Sequence, residues 1–146
     1  EVDGRKEFLL TSDYNNTVFV AFNAAYIESE TTLLSGDQRP LQGQPEYTAN
    51  FVVGYDNVPG GHHVTLLYNH NGESIADEGI LGLPNIILEP RGELNLVYQL
   101  DLNDSATIRA RVENLLDQEV EYLQGADLFQ RYDKGVTFQL GFNWNF

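Results

Sequence analysis

The chain has 146 residues, 42% of them hydrophobic, and it contains no cysteine, so disulfides and thiolate metal sites are excluded. Eight basic residues against 22 acidic ones give a formal net charge of -14. That charge argues against nucleic acid as a partner because the phosphate backbone would be repelled. No stretch approaches the roughly 18 apolar residues that a membrane-spanning helix requires.

Apolar residues instead recur at every second position, which is typical of strands. Seven segments carry this alternation, the first of them weakly: residues 1–7, 17–30, 47–56, 62–71, 88–101, 106–116 and 135–146. Long connections at 31–45, 72–87 and 117–134 alternate with short ones. Because successive connections of a meander fall on opposite rims, the long loops are expected on one rim and the short turns on the other. The sequence predicts an all-β, antiparallel up-and-down meander of about six to seven strands.

The last segment has an unusual polar side. Its apolar face carries Val136, Phe138, Leu140, Phe142, Trp144 and Phe146. The opposite face carries Thr137, Gln139, Gly141, Asn143 and Asn145, none of them charged. A soluble, half-buried strand normally carries some charge on its polar side, so the pattern favours a strand that faces lipid. An interfacial aromatic belt is predicted near the short turns, formed by Phe19, Tyr55, Tyr98, Trp144 and Phe146.

The end of this segment resembles the C-terminal assembly signal of bacterial outer-membrane barrels, with a polar residue, a glycine and two aromatic residues. The matching positions are Gln139, Gly141, Trp144 and Phe146. The resemblance implies delivery to the barrel-assembly machinery and a place in the bacterial outer membrane.

Two further motifs resemble the C-terminal barrel region of TonB-dependent outer-membrane receptors. The first is a loop that precedes the third segment, formed by Arg39, Pro40, Leu41, Gln42, Gly43, Gln44 and Pro45. The second lies at the end of the penultimate segment and is formed by Asn114, Leu115, Leu116 and Asp117. The order and spacing of the motifs also match the family, and the resemblance covers essentially the whole chain. The chain departs from the family pattern in lacking the usual serine before Pro45.

The resemblance implies energised import of siderophores, cobalamin or other scarce nutrients through a barrel of roughly 22 strands. In that family a separate N-terminal plug fills the lumen. Seven strands cannot close such a barrel, so residues 1–146 are expected to be the C-terminal segment of a large transmembrane β-barrel. The implied partners are the lipid bilayer and lipopolysaccharide, the plug and remaining strands, and the TonB complex through the part not in this sequence. Nucleic acid, a cofactor and enzymatic activity are not expected.

Candidate metal ligands occur in two places, and neither set favours a metal. His62 and His63 point to opposite faces of a strand, and His70 lies further along, so solvated rim residues are the preferred interpretation. The acidic residues of the second long loop, Glu73, Asp77 and Glu78, lack the spacing of a calcium-binding loop.

The charged face of the penultimate segment has a similarly simple interpretation. Arg109, Arg111 and Glu113 are expected to form charge pairs on the lumen side, with Glu93 and Asn95 across from them. No nucleophile with a base, no pair of catalytic carboxylates and no phosphate-binding glycine loop is visible in the sequence.

Two other classes of protein remain open on the sequence alone. A small, self-contained outer-membrane barrel with a structural or adhesive role would have an even number of strands in a closed ring. A soluble β-sandwich or β-barrel binding module would need charged residues on the outer face of the last segment, which has none.

Overall fold

The structure is a computed structural model that describes residues 1–12, 15–32, 36 and 38–145. Its strands are β1 (Val2–Leu9), β2 (Asn16–Tyr26), β3 (Thr31–Thr32), β4 (Gln38–Arg39), β5 (Tyr47–Asn57), β6 (His62–Asn71), β7 (Ser74–Asp77), β8 (Ile86–Leu88), β9 (Arg91–Asn103), β10 (Ala106–Glu113), β11 (Glu119–Gln124), β12 (Asp127–Asp133) and β13 (Thr137–Trp144). None of the described residues belongs to a helix with the length and apolar character needed to span a membrane.

Seven of these strands form one antiparallel sheet, which we call the wall, in the order β1-β2-β5-β6-β9-β10-β13. Every wall strand pairs with the wall strand before it in the chain, so the predicted all-β, up-and-down meander is confirmed. The sheet is open. Within the described ranges, the outer edges of β1 and β13 have no partner strand. These edges leave a row of backbone N–H and C=O groups available for pairing.

The strand register divides the wall into two chemically different faces. Val53 of β5 lies opposite Val20 of β2 and Leu66 of β6, and this apolar row continues across β9, β10 and β13 through Leu96, Val112 and Phe138. Among the described strand residues, the same face carries one fixed charge, Lys6, on the edge strand β1. We call this side of the wall the apolar face.

The other side, the polar face, carries amides and charges. A row of its residues crosses five strands in register: Asp3, Asn23, Asn50, Asn69 and Glu93. Nearer the C-terminus, the same face carries Gln99, Arg109, Arg111 and Gln139. The alternation in the sequence therefore translates directly into a two-faced sheet.

The apolar face has no second layer packed on it in the part of the chain that the structure describes. Its large side chains are exposed in the middle of the sheet as well as at the edge, with Phe51 46% exposed and Leu140 80% exposed. The buried hydrophobic residues are Ile75, Ala106 and Val120. A sheet in water normally covers its apolar face with a helix or another sheet. Here that face remains available to an apolar environment.

The connections divide the wall into two rims. Residues 58–61 and 104–105 make tight turns at one end, which we call the short-turn rim. The other end, the long-connection rim, carries residues 27–46, 72–90 and 114–136. The prediction that 31–45, 72–87 and 117–134 are loops is wrong, since each contains strand residues. The first contains the short pair β3 and β4, and the other two regions contain β7, β8, β11 and β12, which form a second sheet in the order β12-β11-β8-β7.

This second sheet, which we call the extension sheet, continues the wall beyond the long-connection rim. β7 follows β6 in the chain, β8 precedes β9, β11 follows β10, and β12 precedes β13. The strands of the extension sheet pair in the same order as these wall strands, so that β8 pairs with β11 as β9 pairs with β10. The loop prediction missed it because β7 and β8 are short and glycine-flanked. The signal was present in β11, where Val120 and Tyr122 alternate with Glu119 and Glu121.

Several strands end earlier or later than the sequence predicted. The segment 88–101 is divided by Glu89 and Pro90, because proline has no N–H to donate to a neighbouring strand. The segment 106–116 ends at Glu113, since Asn114 has a left-handed φ of 56°. The segment 17–30 ends at Tyr26, and 135–146 is a strand over Thr137–Trp144.

Candidate functional site

Aromatic residues pair with polar groups on the apolar face near the short-turn rim. The Tyr55 hydroxyl donates to Oδ1 of Asn16 at 3.0 Å. The Tyr98 hydroxyl and Nδ1 of His62 are 2.8 Å apart, and their rings stack with centroids 6.1 Å apart. On β13, Trp144 meets Phe142 edge to face at 6.4 Å. Each phenol therefore keeps a polar partner while its ring stays on the apolar face.

A second aromatic group lies on the same face at the long-connection rim. His70 is placed between two tyrosines, with Nε2 3.2 Å from the Tyr47 hydroxyl and Nδ1 3.4 Å from the Tyr68 hydroxyl. Tyr26 lies opposite Tyr47 on the neighbouring strand. The sequence analysis missed this group, although the tyrosines at the far ends of the strands were its signal. Both ends of the apolar face thus carry amphipathic rings.

Phe19 does not belong to the predicted belt, and that assignment is wrong. Its register partner is Gly54, whereas the neighbouring Val18 lies opposite Tyr55, so Phe19 is on the polar face. The ring lies over Gly54, where a Cβ atom would be 2.0 Å from Cε1 of Phe19. The Arg5 guanidinium lies over the same ring, 4.5 Å from its centroid. Phe19 therefore fills a gap above a glycine instead of marking a membrane boundary.

The residues of the predicted assembly signal lie on the edge strand β13. Gln139 lies opposite Arg111 and Gly141 lies opposite Arg109, both on the polar face. Trp144 lies opposite Ala106 on the apolar face and is 64% exposed. Phe146 lies outside the described residues. The residues of the predicted signal thus lie on a strand whose outer edge has no partner strand among the described residues.

The motif loop of residues 39–45 docks on β7 at the long-connection rim. The backbone N–H of Gly43 donates to the Ile75 carbonyl at 2.8 Å, and Nε2 of Gln42 donates to the Ala76 carbonyl at 2.8 Å. Arg39 forms an ion pair with Glu78, just past the end of β7. Leu41 is held from the other side, since its N–H donates to Oγ of Ser29 at 3.1 Å. The loop therefore covers the β7 edge of the extension sheet.

The penultimate-strand motif forms the joint between the wall and the extension sheet. Asn114 is 2% exposed, and its backbone N–H donates to Oδ1 of Asn95 at 3.0 Å. Its Nδ2 donates to the Gln118 carbonyl at 3.3 Å and the Gly135 carbonyl at 3.2 Å, while Oδ1 accepts from the Gln118 N–H at 3.1 Å. One side chain thus links the strands on both sides of the break.

The other motif residues fit the same turn. Asp117 has a φ of 50°, and its N–H donates to the Asn114 carbonyl at 2.8 Å. Asparagine and aspartate adopt left-handed backbone conformations more readily than other residues with a side chain. Leu115 donates its N–H to the Leu94 carbonyl at 2.8 Å, and Leu116 is exposed. Asn114 and Asp117 therefore occupy the two positions of this turn where the backbone has a positive φ.

The charge pairing predicted for the polar face is found for Arg111 and Glu113, whereas Glu93 and Arg109 have other partners. Glu93 accepts from Nζ of Lys134 at 2.9 Å instead of facing the arginines. Arg109 donates to Oε1 of Gln99 at 2.7 Å, and Arg111 pairs with Glu113 of its own strand at 3.1 Å. The face is a set of local ion pairs and hydrogen bonds, in which the basic side chains are more exposed than the carboxylates they contact.

His63, Asp77 and Glu78 have protein partners, Glu78 through its ion pair with Arg39. Nδ1 of His63 lies 2.7 Å from Oδ1 of Asp56, and Nε2 lies 3.2 Å from Oδ2 of Asp101. Oδ1 of Asp77 accepts from the Glu78 N–H at 2.8 Å. Across the described ranges, no group of three or more His, Asp or Glu residues is arranged to hold a metal ion.

The extension sheet carries its own polar contacts on β11 and β12. Arg131 forms ion pairs with Glu119 and Glu121 of the adjacent strand. The rings of Tyr122 and Tyr132 stack with centroids 6.4 Å apart. Partial burial raises the pKa of the Tyr122 phenol, and the neighbouring Tyr132 raises it further. Tyr122 is therefore neutral at physiological pH.

Comparison with known proteins gives no relative: no family model matches the chain, and no significant match is found among curated proteins or solved structures.

Proposed function

We propose that residues 1–146 form the C-terminal part of the wall of a TonB-dependent outer-membrane transporter. The apolar face contacts lipid, and the polar face lines the lumen. The long-connection rim faces the outside of the cell and helps to select a scarce nutrient such as a siderophore or cobalamin. The observation that carries this proposal is the uncovered apolar face of the wall, bounded by aromatic residues at both rims.

The spacing of the aromatic groups supports a bilayer as the missing environment. Tyr47 and Tyr55 lie eight positions apart in β5, which corresponds to about 27 Å along a strand. With the tilt of about 40° usual in such barrels, this is about 20 Å along the membrane normal, close to the roughly 25 Å apolar band of outer-membrane barrels. The phenol and imidazole groups then lie at the level of the lipid headgroups.

Lys6 is compatible with this placement. It shares a register row with Val20 and Val53, and its long side chain can extend the ammonium group toward an interface while its methylene groups stay in apolar surroundings. The open edges of β1 and β13 support a larger barrel, since a closed transmembrane barrel leaves no strand edge in lipid. Further strands are proposed to pair with both edges, and a plug domain is proposed to fill the lumen.

The joint and the motif loop hold the extension sheet in place on the side of the proposed transporter that faces the outside of the cell. Asn114 links the end of β10 to the segments before β11 and β13, and the motif loop covers the edge of β7. Together they hold two hairpins away from the lipid boundary in a defined position. A rigid hairpin pair is a suitable support for ligand selection, because loops on a fixed scaffold position contacts accurately.

The test is the intact mass of the native polypeptide extracted from outer membranes, followed by nutrient uptake. We expect a mass several times the 16.5 kDa of this chain and uptake that stops when the membrane is de-energised. A polypeptide of about 16.5 kDa in the outer membrane would contradict the transporter and favour the small barrel. Recovery of the protein without detergent would contradict both.

A further inference from the structure

A cluster of exposed apolar side chains lies at the tips of the two extension hairpins. We call it the tip patch, and its members are Ile80, Leu81, Leu83, Leu128 and Phe129. Leu81 is 99% exposed and Phe129 is 55% exposed. The two tips touch, since Nε2 of Gln124 donates to the Pro84 carbonyl at 3.0 Å. A groove between them is lined by Leu83, Pro84, Leu128 and Phe129.

The backbone holds two of these side chains outward at a local cost. Leu81 has a φ of 55°, an unfavourable conformation for a residue with a bulky side chain, and Gly82 follows at 84°. The Leu83 N–H donates to the Ile80 carbonyl at 3.1 Å and closes this turn. On the other hairpin, Tyr122 lies opposite Gln130 and Leu123 opposite Leu128, so Phe129 is the extra residue of a bulge. Bulges redirect side chains and are frequent beside binding sites.

The surroundings of the tip patch are acidic. Residues 72–87 contain three acidic residues and no basic one, and residues 117–134 contain five acidic and two basic residues. Ion pairs with Arg39, Arg131 and Lys134 occupy Glu78, Glu119, Glu121 and Glu93. Within the described ranges, Asp77 at the end of β7 and Asp127 take part in no such pair. Asp127 directly precedes Leu128 and Phe129 at the start of β12. An apolar patch with this border complements a ligand that combines apolar groups with positive charge.

We propose that the tip patch binds a cationic amphipathic polypeptide segment. Its apolar side chains enter the groove between the hairpins, and its Lys or Arg residues face the acidic border. The inference rests on the proposed function in one respect, because that function places the patch outside the cell. It extends that function by naming the chemical class of a partner for the long-connection rim.

Other occupants fit the patch less well. A second copy of this chain would bring two acidic borders together, and an anionic ligand would meet the same repulsion. Lipid is disfavoured by position, since Tyr68 and His70 mark the boundary of the apolar face and Leu81 lies eleven residues beyond His70 along the chain. The charge border thus selects a cationic partner.

The binding test uses the full-length protein in nanodiscs of zwitterionic lipid and a synthetic peptide of leucine and lysine labelled with a fluorophore. A control peptide in which glutamate replaces lysine has the same apolar residues but the opposite charge. Empty nanodiscs control for binding of the peptides to lipid. We expect saturable binding of the lysine peptide only, weakened by added salt because the contact is partly electrostatic. Equal binding of both peptides, or no binding of either, would overturn the proposal.

Matched variants locate the site. Leu81→Asn removes the apolar side chain and suits the positive φ, so the hairpin keeps its conformation. We expect about tenfold weaker binding from it and about a hundredfold from Leu81→Asn with Phe129→Ser. Leu102→Asn at the short-turn rim, where Leu102 is 52% exposed, is the control and should bind as the original protein does. Unchanged binding by the double variant would refute the proposal.

A separate measurement distinguishes failure of this inference from failure of the proposed function. Intact cells carrying Ile80→Cys, at a position 68% exposed in the original protein, are treated with a maleimide that cannot cross the membrane. Labelling supports the external position of the rim, whatever the peptide does. Labelling without peptide binding overturns the inference alone, and absence of labelling overturns the placement on which it rests.

Discussion

The backbone N–H of Asn114 donates to the side-chain oxygen of Asn95 at 3.0 Å, across the line where the wall meets the extension sheet. Asn95 is 8% exposed and Asn114 is 2% exposed, so this contact lies in one of the few buried regions of the chain. The contact joins β9 to the end of β10 where the regular strand pairing stops. The joint therefore depends on asparagine chemistry at both positions.

Asn114→Ala is expected to destabilise the folded protein by about 3 kcal/mol. The variant loses three side-chain hydrogen bonds worth about 1 kcal/mol each, and alanine is less tolerant of the positive φ. The measurement is the urea midpoint of the full-length protein in detergent. Asn143→Ala, at an exposed position on β13, is the control. Equal midpoints for the two variants would show that the joint has no structural role.

Gly54→Ala is expected to lower the free energy of unfolding by about 1–2 kcal/mol, because the added methyl group would overlap the Phe19 ring. The ring must move, and its contact with Arg5 is lost with it. Gly141→Ala serves as the matched control, since the nearest atom to its added Cβ is 3.9 Å away. If Gly141→Ala were as destabilising as Gly54→Ala, packing over glycine would not be the cause.

Val53→Arg is expected to impair folding into lipid vesicles by about 2–4 kcal/mol, the usual cost of arginine on the lipid side at mid-depth. The adjacent Val52→Arg places the same substitution on the polar face and should cost less than about 1 kcal/mol. Folding is followed by the fraction of protein that resists protease after mixing with vesicles. A larger effect at Val52 would reverse the assignment of the two faces.

Gln42→Glu is expected to release the motif loop from β7. It replaces the amide donor to the Ala76 carbonyl with a carboxylate, which cannot donate and is repelled by that oxygen. Faster cleavage of residues 39–45 by added protease is the readout. Gln44→Glu is the control, because the backbone N–H of Gln44 donates to the Leu41 carbonyl and this hydrogen bond does not involve the side chain. Equal cleavage of both variants would contradict a specific docking contact.

The two faces of the wall follow from the sequence because alternation is a local property. Val53 and Tyr55 had to share a face whichever strands lay beside them, and their neighbours proved to be equally periodic. Strand order was also accessible, since short turns force antiparallel neighbours. Phe19 was misassigned because both faces of β2 contain apolar residues. The alternation in β2 therefore did not show whether Phe19 packs over Gly54 or lies in an aromatic belt.

The joint and the extension sheet were less accessible. The buried state of Asn114 depends on Asn95, Gln118 and Gly135, which come together only once the register is known. β7 and β8 are too short to show a period, and each relies on pairing with the other. The exposure of Leu81 could not be predicted from the sequence. A single leucine in a polar connection has no distinctive pattern, and its positive φ is visible only in the structure.

Spin labels on two adjacent residues of β6 test the central claim most directly. Leu66→Cys places a label on the apolar face and Thr65→Cys places one on the polar face, each in the full-length protein in lipid bilayers. We expect collisions with oxygen, which dissolves in lipid, to dominate at position 66. Collisions with a water-soluble nickel chelate should dominate at position 65. Equal chelate accessibility at both positions would contradict a wall with one face in lipid.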